Sequence, residues 1–151
     1  MANIDLKLLK KLRDETSASI ADCRRALDEA DGDYKKAVAW LQKRAAEIAA
    51  KKSDRDTGAG IIEAYIHQGG KVGVLVELLC ETDFVAKTDE FHHLAREIGM
   101  QVAAMDPKDV ETLLKQEYIR DGSQTIEKLI KGAIGKMGEN VILKKFIRFE
   151  V

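Results

Sequence analysis

Proline occurs once, at Pro107, and aromatic residues make up only 5% of the 151 residues. So little turn-forming and aromatic material argues against a β-sandwich and favours helix. Cysteine is scarce as well. Cys23 and Cys80 lie far apart in segments of different kind, and offer neither a metal-type pair nor a disulfide framework. They fit a reducing compartment. An excess of one charge is missing too: 25 basic residues face 26 acidic ones. That balance gives no electrostatic drive toward nucleic acid or a membrane surface. No apolar run approaches the roughly 20 residues of a membrane span. Met1–Asp5 lacks the basic-then-apolar order of a signal peptide. A cytoplasmic protein is expected, one that binds a protein partner or a small ligand and touches neither nucleic acid nor membrane directly.

Hydrophobic residues reach 45% and charged residues 34%, enough for a buried core and a solvated surface. The first third predicts three helices. Asn3 is placed to cap a helix carrying Ile4, Leu8, Leu9 and Leu12. Ser19 and Asp22 resemble a capping box for a second helix with Ile20, Cys23, Leu27 and Ala30. Asp31-Gly32-Asp33 supplies a stop, a turn and a new cap. The third helix carries Val38, Leu41, Ala45 and Ile48, with Tyr34 and Trp40 adding bulk. Residues 1–52 thus predict a compact three-helix bundle of ubiquitin-associated-domain size, and the polar, glycine-containing stretch 53–60 a linker.

From there the period shifts toward 2, and residues 61–151 predict a second, α+β unit. Ile61–His67 and Lys71–Cys80 read as a hairpin around Gln68-Gly69-Gly70. Val72, Val74, Val76, Leu78 and Cys80 share one face of its second strand. Thr88 is expected to cap a helix that buries Phe91, Leu94, Ala95, Ile98, Val102 and Met105 and stops at Pro107. Asp109–Tyr118 reads as a short helix or a loop. Ser123 is expected to start a helix with Ile126, Leu129, Ile130, Ala133 and Met137, closed by Gly138. The last strand, Val141–Val151, places Val141, Leu143, Ile147, Phe149 and Val151 on one face and Ile142 and Phe146 on the other. The expected fold is therefore α+β: a helical bundle, then a small three-stranded antiparallel sheet with helices on one face. With helices on one side only, apolar groups on the other side call for a cover.

The run Ile66-His67-Gln68-Gly69-Gly70-Lys71-Val72-Gly73-Val74-Leu75-Val76-Glu77, continued by Cys80-Glu81-Thr82-Asp83-Phe84-Val85-Ala86, resembles the motif of the elongation factor Ts family. Leu9-Lys10-Lys11-Leu12-Arg13 with Asp22-Cys23-Arg24-Arg25-Ala26-Leu27 is similar to that family's N-terminal motif. Gly138-Glu139-Asn140 and Phe146-Ile147-Arg148-Phe149-Glu150 are similar to its last strand. The resemblance covers the whole chain in order. It implies a non-enzymatic protein, without cofactor or metal, that releases GDP from the GTPase elongation factor Tu. It further implies that Thr82, Asp83, Phe84 and Val85 enter the partner near its magnesium and phosphate site. Lys10, Ile20 and Ala21 of the bundle, and His67 of the hairpin, match other positions that meet the partner. Where the family has Gly-Ala-Gly-Met-Met, this chain has Ser17-Ala18-Ser19-Ile20-Ala21, a trimmer and stiffer apolar patch.

Read without the family, a turn aromatic such as Phe84 packs into its own core, Ile20 joins the bundle core by its helical spacing, and His67 is an ordinary hairpin histidine. Longer members carry two related core units packed sheet on sheet, and this chain has one. A homodimer through the core sheet is the expected cover for the second face. Two other functions compete with this one. A plain adaptor would use residues 1–52 but leave the later motifs unused. A thiol enzyme would need Cys80 beside His67, His92 or His93, yet Cys80 follows an inward series and should be buried and inert. His92 and His93 are adjacent and diverge by about 100° on a helix, which is not a metal-ligand spacing.

Overall fold

The computed structural model describes residues 5–151, and its first core is built by three helices. These are α1 (Leu6–Thr16), α2 (Ile20–Glu29) and α3 (Tyr34–Lys52). The cap of α1 is Asp5, whose side chain accepts from the Lys7 amide; Asn3 and Ile4 lie outside the described residues. Ser19 caps α2 at the Asp22 amide, and its hydroxyl donates back to the Asp22 carboxylate, the shortened capping box. Asp33 caps α3. Leu12, Cys23, Ala26, Leu27, Ala30, Ala37 and Leu41 close the bundle's core. The turn between α1 and α2 holds Ser17 in the left-handed region at φ 54°, a place where glycine is the relaxed choice.

The third helix serves two cores. Its first half buries Ala37 and Leu41 in the bundle, while Ala49 near its end joins the second cluster. Ala45 faces Gly135 of α7 (Ile126–Met137) so closely that a Cβ at Gly135 would lie 3.2 Å from the alanine methyl. A small residue is what lets the two backbones approach.

The second core is a three-stranded antiparallel sheet in the order β1 (Ala59–Ile66), β2 (Val72–Cys80), β5 (Val141–Glu150). The first strand begins two residues before the expected Ile61. Helix α5 (Asp89–Met105), capped by Thr88, lies across the inner face and buries Phe91, Leu94, Ala95, Ile98 and Val102. Met105 is instead 49% exposed at the helix's last position, before Asp106 turns left-handed. A shorter helix, α6 (Val110–Lys115), is capped by Asp109 and buries Leu113. Next comes a small hairpin of β3 (Glu117–Tyr118) and β4 (Asp121–Thr125). Ser123 therefore sits in a strand and does not start α7. Its hydroxyl is held 2.6 Å from Asp121, and Thr125 is the cap that accepts from the Lys128 amide. The hairpin is bolted to α5 by polar groups. The Tyr118 hydroxyl donates to the buried Glu97 carboxylate, Arg120 Nε lies 2.7 Å from the same oxygen, and Gln101 bonds Glu117 and Ile119.

On β2 the alternation is as expected: Val74, Val76, Leu78 and Cys80 are buried. On β5 it is not. Lys145 pairs with Glu77 but Leu143 pairs with Leu78, so Lys144 is left without a partner as a bulge. One extra residue reverses the parity of everything beyond it. Val141 and Leu143 face the core with Phe146, whereas Ile147 and Phe149 point to the open side with Ile142. The single face proposed for Val141, Leu143, Ile147 and Phe149 is thus split in two. The open side carries Ile62 (71% exposed), Ile66, Leu75, Ile147 and Phe149 (71% exposed), and Phe149 lies opposite Gly73. A shallow groove of about 260 Å³ runs between Ile66, Leu75, Phe149 and Val151.

Candidate functional site

Beyond β2 the chain does not pass straight into α5. Thr82, extended at φ −129°, caps a single helical turn, α4 (Asp83–Ala86), by accepting from the Val85 amide. Val85 and Ala86 turn into the core, at 8% and 4% exposure. By the geometry of one turn, Asp83 and Phe84 must then point outward. Phe84 is 85% exposed. Only two residues separate this turn from α5, and the second of them, Thr88, donates to the Val85 carbonyl at 2.7 Å while capping α5. The aromatic therefore stands on a backbone pinned at both ends, with buried side chains beneath it.

The start of the turn is held from a third side. One oxygen of Glu139 accepts from the amides of Glu81 (3.1 Å) and Thr82 (3.0 Å), and the other accepts from the Thr82 hydroxyl at 2.7 Å. In return the Glu81 carboxylate accepts from the Asn140 amide at 2.7 Å, with Arg55 Nη1 at 3.7 Å. The Cys80 thiol donates to the Thr82 carbonyl and is fully buried, and burial pushes its pKa up. A protonated, enclosed thiol is a poor nucleophile. The role of Glu139 was invisible in sequence, because its partners are 57 and 58 residues away.

The other expected contact residues are spread out. Lys10 lies exposed on α1 and Ala21 exposed on α2. Ile20, the first residue of α2, is 50% exposed and so is not part of the bundle core. His67 is exposed at the hairpin, its Nδ1 3.1 Å from the Tyr65 hydroxyl. It sits at the far end of β2 from Thr82, and nine strand residues span roughly 30 Å. The fold does not gather His67 and Phe84 into one patch. His92 Nδ1 lies 3.2 Å from the Glu63 carboxylate, and no metal-type grouping of side chains is present among the described residues. No described helix is long and apolar enough to cross a membrane.

The exposed features of the fold are thus a pinned aromatic at Phe84 and a largely apolar outer sheet face. Residues 81–151 match the family model described as Elongation factor TS. The chain is 45% identical over 149 residues to the elongation factor Ts of a Nostoc species, covering 99% of itself and 47% of that protein. It is 38% identical to elongation factor Ts of a Thermoanaerobacter species, covering 97% of itself and 94% of that relative, and 38% identical to that of Thermosipho melanesiensis, at 98% of each. The chain belongs to the elongation factor Ts family, one of the translation elongation factors. It spans about half the length of the Nostoc relative. The other two matches run over 192 and 193 residues, more than the 151 here, so those relatives carry stretches with no counterpart in this chain.

Proposed function

We propose that the chain is a guanine nucleotide exchange factor for elongation factor Tu, binding its GDP form and speeding GDP release so that GTP can follow. The observation that carries this reading is Phe84: 85% exposed, yet on a turn whose backbone is tied at Thr82, Val85 and Thr88. An aromatic already paid for in order is an effective anchor, because little freedom remains to be lost on binding. Asp83 beside it offers a carboxylate to the partner's amides. Val85 supports the pair from beneath, inside this protein's own core.

In the proposed mechanism Phe84 enters the GTPase near its magnesium and phosphate site. Magnesium demands near-ideal octahedral geometry, so a small displacement of its supports weakens both metal and diphosphate. Release follows only if these contacts exist in the displaced state and not in the GDP-holding one. By reciprocity, GDP weakens binding of the factor by the same ratio. Lys10, Ile20 and Ala21 at the bundle's exposed edge provide a second foothold, and His67 a third at the hairpin. No cofactor and no covalent step enter this scheme, and the place of action is the cytoplasm.

The same reading includes a homodimer. Ile62, Ile66, Leu75, Ile142, Ile147 and Phe149, each at least 41% exposed, make the open sheet face largely apolar around a central charged cluster. Its central charges are satisfied within the sheet, Glu77 lying 3.9 Å from Lys144 and 4.0 Å from Lys145. A two-fold pairing of two such faces is the simplest cover. The test of exchange is the release of fluorescent GDP from elongation factor Tu with and without the chain. Acceleration is expected; an unchanged dwell time of GDP overturns the reading.

A further inference from the structure

The corner after α7 is built around a left-handed Gly138 at φ 77°, and the chain reverses there so that Glu139 lies over the end of β2. Two amides at that end, those of Glu81 and Thr82, lie past the β2 ladder, and Glu139 supplies their acceptor. Both Glu139 oxygens are used. Next to it, Asn140 is 3% exposed, and its side-chain Nδ2 donates to the carbonyls of Ser53 (3.4 Å) and Arg55 (3.0 Å) in the segment leaving α3. Lys52, the last residue of α3, donates to the Gly138 carbonyl. Three consecutive residues thus grip the Phe84 turn on one side and the exit of the bundle on the other.

We infer that Glu139 is a positioning residue that sets the aim of Phe84, and that the Gly138–Asn140 corner fixes this aim relative to the three-helix bundle. The inference rests on the exchange reading above and names a residue through which it works. A satisfied carboxylate that merely closed a loop would stabilise the fold and no more. Here the bonds fall on the two residues that immediately precede α4. A turn carrying its anchor on the first helical residues transmits any shift of Thr82 directly to Phe84. Loss of the carboxylate therefore lets the aromatic wander while leaving it present and exposed. Small misplacements of a group that must meet a preformed pocket cost up to about 100-fold in rate.

The test uses the full chain with elongation factor Tu and fluorescent GDP, measuring the stimulated release rate against factor concentration. Glu139→Ala is expected to lower the maximal rate at least tenfold while moving the half-saturating concentration less than about threefold, since the bundle footholds remain. Glu139→Gln keeps the oxygen that serves the two amides, and its NH₂ donates to the Thr82 hydroxyl, so it is expected to restore the rate to within about threefold. Amide hydrogen exchange at Glu81 and Thr82, measured without the partner, should quicken in the alanine and aspartate variants and stay slow in the glutamine variant. Glu139→Asp keeps the charge but withdraws it by one methylene, and serves if the alanine variant does not fold; the same loss of maximal rate is expected. A maximal rate equal to that of the unsubstituted chain in the alanine or aspartate variant overturns the inference. So does an equal loss in the glutamine variant. If the unsubstituted chain itself fails to release GDP, the exchange reading falls, and the amide measurement still reports separately on whether Glu139 orders the turn.

Discussion

Replacing Phe84 by alanine separates a residue that holds the protein together from one that acts on a partner. An aromatic side chain offers about 150 Å² or more for burial, and Phe84 is 85% exposed in the free chain. Nearly all of that surface remains to be covered on binding. At about 25 cal/mol per Å², and allowing for the methyl that alanine keeps, truncation removes roughly 2.5 kcal/mol of contact with the partner. Each 1.36 kcal/mol is tenfold, so stimulated GDP release should fall about 100-fold. The fold should hardly notice: surface changes away from caps and cores stay within about 0.5 kcal/mol. The assay is stopped-flow release of fluorescent GDP from elongation factor Tu, alongside a thermal melt of each chain. An undiminished release rate refutes the anchor. A melting temperature lowered by more than about 5 °C refutes the premise, since for a chain of this size that means over 1 kcal/mol of lost self-packing.

Three further outcomes follow from the same structure. Ile147→Glu places a charge in the middle of the open sheet face and should convert the proposed dimer to a monomer by light scattering, with the melting curve of the protomer retained; a chain that is already monomeric at working concentration defeats the dimer. Ser17→Gly should stabilise the bundle by about 1 kcal/mol in a denaturant titration, because it relieves a left-handed residue with a Cβ at φ 54°; a destabilised variant shows the strain argument to be wrong. Tyr118 is pushed above the usual tyrosine range by burial first and by the Glu97 carboxylate second. Its folded pKa is raised, so its stabilising share is complete below the unfolded value near 10 and is lost as pH climbs beyond it. Stability should therefore drop above about pH 10, and Tyr118→Phe should flatten that drop; an unchanged slope in the variant rules out Tyr118 as its source.

Much of this architecture was legible in the residues because the signals are local. Ser19, Asp33 and Thr88 each cap within three positions, and the Val72–Cys80 alternation gives its buried face directly. The failures share a cause of the opposite kind. The bulge at Lys144 depends on how β5 pairs with β2, and nothing within Val141–Val151 announces a skipped residue. The β3–β4 hairpin is five polar residues and a pair, with no apolar period, held instead by Glu97 and Gln101 from another helix. The turn of α4 is too short for periodicity, although Thr82 is a fair cap. At the site, the motif around Phe84 was readable, whereas its support by Glu139 required the folded chain. Ile20 was open between core and surface on spacing alone, and its place as the first residue of α2 leaves it half exposed.

Helix α3 has a consequence for how the molecule comes apart. Its 19 residues begin in one cluster and finish in the other, with Ala45 against Gly135 and Ala49 inside the second core. A helix propagates order residue by residue and resists interruption, so melting its first half frays the second. The two clusters then share their fate under heat: calorimetry should record one endotherm where a beads-on-a-string arrangement would give two. Any push received by α1 and α2 also arrives at α7 through an undivided rod about 28 Å long.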